Sequence, residues 1–205
     1  MQRRVRPSGT GAQSPRNDLP DFGPIDAYVG NAARATGFGA AHTFDQESWQ
    51  RAPDVNLTGT FRVLQECLAG MRQRGSGRVV LISSTAGTQG MPAQVSYATT
   101  KAGLIGMVKT VAAENVRKGI TANAVLPGMT ASSGVLSMPS EVQDAWLGRL
   151  SNGFVDPDDI ADGVAFFASP SAGMVPGQLL TIDGGMSSTR GRSRRAPRRN
   201  PGGAR

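Results

Sequence analysis

The sequence predicts an open α/β fold on a parallel sheet, and three observations carry that prediction. Short apolar runs alternate with longer segments of helical periodicity. One run, RVVLIS at residues 78–83, is almost continuously apolar, the pattern of a strand covered on both faces. Glycine or Pro-Gly punctuates the segment ends, at Gly75, Gly119 and Pro127-Gly128. Strands that alternate with helices in this way imply right-handed crossovers between parallel neighbours.

Taken in order, residues 25–29 (IDAYV) predict a short strand, followed by a loop of small residues. Residues 46–74 form a long helical stretch with Phe61, Leu64, Leu68 and Met71 at helical spacing, interrupted near Pro53. After the strand at 78–83, residues 98–118 return to helix, with Gly119 as its stop. Residues 120–126 predict a third strand. Two helices follow, at 140–150 and 157–168, the second capped by Asp156 ahead of Pro157. A last strand at 178–182 closes on Asp183-Gly184-Gly185.

The composition narrows the function classes. The chain has 205 residues, 39% of them hydrophobic and 5% aromatic. That apolar share lies below the usual ~45–50%, in part because glycine and proline are frequent. No apolar run approaches the ~18 residues of a membrane span, and residues 1–20 lack the apolar core of a signal peptide. Cys67 is the single cysteine and His42 the single histidine, which excludes an internal disulfide, a multi-Cys zinc site and a histidine cluster. Cys67 reads as a packing residue and His42 as a loop residue. The expected compartment is cytoplasmic.

The net charge of +7 suggests a polyanion partner until it is divided along the chain. Residues 1–20 carry a balance of +3 and residues 190–205 a balance of +7, which leaves −3 for everything between. The excess lies in the two ends, so the pI says nothing about the chemistry of the central part. Both ends are poor in apolar residues and lack periodicity, which predicts disorder for 1–20 and 187–205 and a domain at 21–186. The Arg-rich tail has no aromatic residue to stack on bases, and it reads as a solvated appendage rather than a nucleic-acid binder.

The most informative run is SYATTK, residues 96–101. Tyr97 and Lys101 are four apart and share one face of a helix. A phenol with its usual pKa near ~10 is a poor acid or base at neutral pH. A neighbouring ammonium favours the phenolate and is expected to lower that pKa into a useful range. With two Tyr and three Lys in the chain, this spacing arises by chance about 0.03 times. Ser84 follows the strand at 78–83, at the carboxyl end where parallel sheets bind ligands. Asn56 lies inside the long helical stretch, where an Asn needs a partner for its amide or marks a bend.

In order and spacing, Asn31-Ala32-Ala33, Asn56, Ser84, Tyr97, Lys101, Pro127-Gly128 and the ending GQLLTIDGG (177–185) resemble the short-chain dehydrogenase/reductase family. VNLTGTF, YATTKAGLIGMVK, NAVLPGMT and DPDDIADGVAFFAS are similar to the 3-oxoacyl-acyl-carrier-protein reductase group. The resemblance covers residues 21–186. It implies a Rossmann-like, doubly wound parallel sheet that here lacks the first βαβ units.

The same resemblance implies an NAD(P)-dependent reductase that converts a carbonyl, such as a 3-oxoacyl thioester, to an alcohol with NADP or NAD as cofactor. Tyr97 then protonates the carbonyl, Lys101 tunes Tyr97 and binds the nicotinamide ribose, Ser84 polarises the carbonyl, and Asn56 holds a relay water. Asn31, Ala32, Pro127, Gly128 and Ser132 line the cofactor with Tyr97 and Lys101. The implied partners are a small carbonyl substrate and either further copies of the chain or a full-length relative, with a catalytically impaired binding partner as the alternative role.

Three departures from the family pattern stand out. Ala33 replaces a glycine, Pro53 precedes Asn56 by three residues and can kink its helix, and no Gly-rich phosphate turn precedes Asn31. Ser8-Gly9-Thr10-Gly11 lacks the strand before it and the helix after it. Without an upstream strand, residues 25–29 are expected to form an edge of the sheet.

Overall fold

The structure, a computed structural model, describes residues 23–35 and 37–188. The expectations for residues 1–20 and for the tail from Thr189 onwards lie outside the described residues. The fold runs through Ser188, because Ser187 N–H donates to Asp183 at 2.8 Å and Ser188 N–H to the Gly185 carbonyl at 3.1 Å.

A parallel sheet has four strands in chain order: β1 (Ala27–Gly30), β2 (Gly77–Ile82), β3 (Ile120–Pro127) and β4 (Leu179–Ile182). The first strand begins two residues later than its sequence pattern. Asp26 gives only its carbonyl, to Arg78 N–H at 2.9 Å, and pairing starts at Ala27 opposite Arg78. β1 pairs with β2 alone and is an edge among the described residues, as its sequence context predicts.

The long helical stretch is three pieces on one path: α1 (Gln46–Pro53), a π-helical turn (Asp54–Gly59) and α2 (Thr60–Arg74). Pro53 therefore ends the ordinary winding without breaking the helix, and the wide turn that follows contains Asn56. A short helix, α3 (Ala86–Gln89), follows β2. The next helix, α4 (Val95–Asn115), starts three residues earlier than expected and tightens into a 3₁₀ turn, Val116–Lys118, before Gly119. Gly119 has φ 69°, and a Cβ there would lie 2.2 Å from the Gly75 carbonyl oxygen, so the stop requires glycine. After β3 come α5 (Ser133–Leu136), α6 (Ser140–Leu147) and α7 (Pro157–Ala168). The last starts where expected, with the Asp156 side chain accepting from Asp158 N–H.

The core has two layers, one on each face of the sheet. On one face Leu64, Cys67 and Met71 of α2 and Leu104 and Val108 of α4 pack on Val79, Leu81, Ala122 and Ala124. On the other, Phe167 of α7 packs on Val80, Ile82 and Val125. Strand order advances in one direction throughout, so connections on opposite faces have opposite hands. The three crossovers are therefore not all right-handed, which corrects the expectation from alternation. Gly163 explains why α7 can settle there. A Cβ at that position would lie 2.6 Å from Ile182 Cδ1, so its absence lets the helix approach β4 closely.

Candidate active site

Tyr97 and Lys101 lie on the first two turns of α4, above the carboxyl end of β2. Lys101 is 3% exposed. Its ammonium donates to the Ile82 carbonyl at 2.7 Å and lies 5.5 Å from the centroid of the Tyr97 ring. The same strand end holds the lysine backbone, because Ser83 Oγ donates to the Lys101 carbonyl at 2.8 Å. Gly87 permits this proximity: a Cβ there would lie 2.8 Å from the Lys101 carbonyl carbon and 2.9 Å from Ala102 N. Burial lowers the Lys101 pKa to about 8.

Ser84 joins this pair through a side-chain hydrogen bond with Tyr97, while its Oγ accepts from Ala86 N–H at 3.1 Å. Burial raises the Tyr97 pKa, and the Ser84 bond offsets part of that rise. This corrects the expectation that Lys101 lowers it. The ammonium lies beside the ring and is directed to Ile82, so desolvation of the phenolate prevails over attraction. Tyr97 therefore keeps its proton at neutral pH.

Asn56, fully buried in the π-helical turn, has every side-chain polar atom engaged. Its Oδ1 accepts from Arg34 N–H at 2.8 Å, and its Nδ2 donates to the Arg34 carbonyl and to Thr100 Oγ1, both at 3.0 Å. The amide ties the loop after β1 to α4. Thr100 and Arg34 were not singled out by sequence reasoning, although Thr100 lies inside the SYATTK run.

The remaining predicted residues lie around this cluster without bonding to its side chains. Asn31 and Ala32 are exposed just after β1. The Pro127 carbonyl accepts from Thr85 N–H at 3.1 Å, which ties the end of β3 to the Ser84 loop. Gly128 is required by packing, because a Cβ there would lie 2.6 Å from that of Asp183. Ser132 is exposed and caps α5, its Oγ accepting from Val135 N–H at 3.4 Å. Among the described residues no group of three or more His, Cys, Asp or Glu could hold a metal, and no helix is long and apolar enough to cross a membrane.

Comparison with known proteins places the chain in a family. The family model described as Enoyl-(Acyl carrier protein) reductase matches residues 18–187. An acetoacetyl-CoA reductase of Rhizobium meliloti is 37% identical over 171 residues, covering 80% of this chain and 69% of that protein. A 3-oxoacyl-(acyl-carrier-protein) reductase of Vibrio cholerae is 36% identical over 167 residues, covering 81% of this chain and 68% of that protein. The crystal structure of an actinorhodin polyketide ketoreductase variant with NADPH superposes with a TM-score of 0.76 at 35% identity, over 82% of this chain and 69% of that one. The chain spans about two-thirds of the length of the relatives it matches. By these matches the chain belongs to the short-chain dehydrogenase/reductase family of oxidoreductases and is similar to its 3-oxoacyl-acyl-carrier-protein reductases.

Proposed function

We propose that this chain reduces a carbonyl to an alcohol, with a 3-oxoacyl thioester or a similar ketone as substrate. The supporting observation is the meeting of Ser84, Tyr97 and Lys101 at the carboxyl end of β2. A nicotinamide dinucleotide, NADPH or NADH, supplies the hydride when bound. The residues of this chain supply the proton and the orientation. Tyr97, protonated at neutral pH, donates its phenolic proton to the substrate oxygen as charge develops there. Ser84 donates to the same oxygen and holds it against Tyr97. Lys101 stabilises the resulting phenolate, since with a pKa of about 8 it is still an ammonium at neutral pH. Asn56 keeps the loop after β1 against α4.

The described residues fit the nicotinamide end of such a cofactor. Asn31 and Ala32 are exposed beside the Lys101 strand end, and the Pro127 carbonyl is bonded to the Ser84 loop through Thr85 N–H. Among the described residues β1 is paired on one side only. Charged hydrogen bonds to a pyrophosphate are worth about 1.5–3 kcal/mol each, so the NADPH dissociation constant measured by calorimetry reports how many of them the full chain supplies.

The test of the reading is NADPH oxidation with an acetoacetyl thioester at millimolar cofactor, in the wild type and in Tyr97→Phe. Slow turnover is expected, with Tyr97→Phe folded and lower by about 10²–10⁴-fold. Turnover of Tyr97→Phe within threefold of wild type, or no alcohol product from wild type, overturns it.

A further inference from the structure

We infer that Thr100 is a positioning residue, whose hydroxyl fixes the Asn56 amide and through it the loop that follows β1. The inference rests on the reductase reading for its purpose, but its evidence is geometric. Thr100 is fully buried, one residue before Lys101 and three after Tyr97. Its Oγ1 donates to the Tyr97 carbonyl at 2.9 Å and accepts from Asn56 Nδ2 at 3.0 Å. A hydroxyl has one proton to give, and here the helix takes it, so the oxygen is left as a directed acceptor. That acceptor sets which way round the Asn56 amide sits. With Nδ2 held by Thr100 and by the Arg34 carbonyl, Oδ1 faces Arg34 N–H at 2.8 Å.

Arg34 is an exposed residue, and its backbone N–H is held by Asn56 in a part-buried bond. A second tether joins the same loop to the segment that leads into α4. Gly39 N–H donates to the Ala93 carbonyl at 3.0 Å, and Ala93 adopts φ 64°, a conformation that a non-glycine residue adopts only under constraint. The loop carrying Asn31 and Ala32 is thus held against the start of α4 at both ends. At the end nearer the Tyr97–Lys101 face, the bond passes through one threonine hydroxyl. Valine has nearly the same shape as threonine and no oxygen, so at this position it deletes the acceptor and little else.

The experiment is amide hydrogen exchange at Arg34 in the full chain, with the Ala124 amide of β3, buried and bonded to the Gln178 carbonyl at 2.9 Å, as an internal reference for global opening. Thr100→Val is expected to speed exchange at Arg34 at least tenfold more than at Ala124, and Thr100→Ser to stay within threefold of wild type at both. In Asn56→Ala, adding Thr100→Val is expected to cause no further increase at Arg34, because the path through the amide is already cut. Equal acceleration at both amides, no acceleration at Arg34, failure of serine to restore protection, or additive effects in the double variant would each overturn the assignment. Should Thr100→Val not fold, Thr100→Ala removes the same oxygen with less bulk and is read by the same criteria. Exchange needs no turnover, so this result stands apart from that of the reductase assay.

Discussion

The two flanks of the active site are built to different standards. On the α4 side, Lys101 is 3% exposed, its ammonium and its carbonyl are both bound to the end of β2, and the helix rests on Leu104 and Val108 in a continuous core. On the β1 side, Val29 is 42% and Phe38 68% exposed, the strand is paired along one edge, and the loop after it is held by Asn56 and by the Gly39 bond to Ala93. The difference separates two tasks. The side chains of α4 are ordered by the protein's own interior, whereas the surface after β1, where the proposed cofactor would lie, is anchored at a few points. A rigid acid beside a lightly tethered loop suits a site whose chemistry is built in and whose cofactor must enter and leave.

The comparison breaks if the two flanks respond alike to loss of side chains. Leu104→Ala on the α4 side is expected to cost about 2–5 kcal/mol of unfolding free energy, since it opens a cavity where the core is fully packed. Chemical denaturation measures it, and a cost below ~1 kcal/mol would mean that α4 is not the well-packed flank.

Burial of the Lys101 ammonium can be read from stability against pH. Its folded pKa of about 8 lies below the ordinary 10.5. Below pH 8 both folded and unfolded chains hold the proton, and the folded state carries the full cost of desolvation. Between these values the unfolded chain binds more protons, so stability rises with pH. Relative to Lys101→Met, the wild type is expected to gain about 3 kcal/mol across that interval. A flat difference from neutral pH to pH 10.5 would show an ammonium that is not desolvated.

Gly87→Ala sharpens the comparison by pressing on the backbone contact between α3 and α4. The added methyl meets main-chain atoms at 2.8 and 2.9 Å, which cannot rotate away. A loss of about 1–3 kcal/mol is expected by thermal denaturation, together with lower turnover, because Ser84 and Lys101 move apart. The smallest effect belongs to β1. Val29→Ala is expected to change stability by no more than about 0.5 kcal/mol, and a larger loss would show that this edge is covered in solution.

Local pattern alone placed much of this molecule. The apolar run at 78–83 and the alternation around it located β2 and β3 within a residue, and Asp156 ahead of Pro157 located the start of α7. Those features depend on neighbours a few positions apart, which is the range over which periodicity and capping operate. The Tyr97–Lys101 face was legible for the same reason. Asn56 could be singled out because an Asn inside a helix needs an explanation, and its amide is fully engaged in a π-helical turn.

Other features came from residues far apart in the chain. The hand of the last crossover depends on which face of the sheet takes α7, where Phe167 packs on Val80, Ile82 and Val125, residues of strands that lie far from it in the chain. Thr100 and Arg34 meet Asn56 across 44 and 22 residues, and no local signal marks either. The Tyr97 pKa went the opposite way from the sequence expectation for a related reason. Spacing on a helix puts a lysine near a tyrosine, but it says nothing about how much of the surroundings excludes water. By itself, then, the sequence determined the elements and which side chains are candidates for the site. Only the tertiary structure decided their orientation and charge, because desolvation and close approach sum over every segment that packs against them.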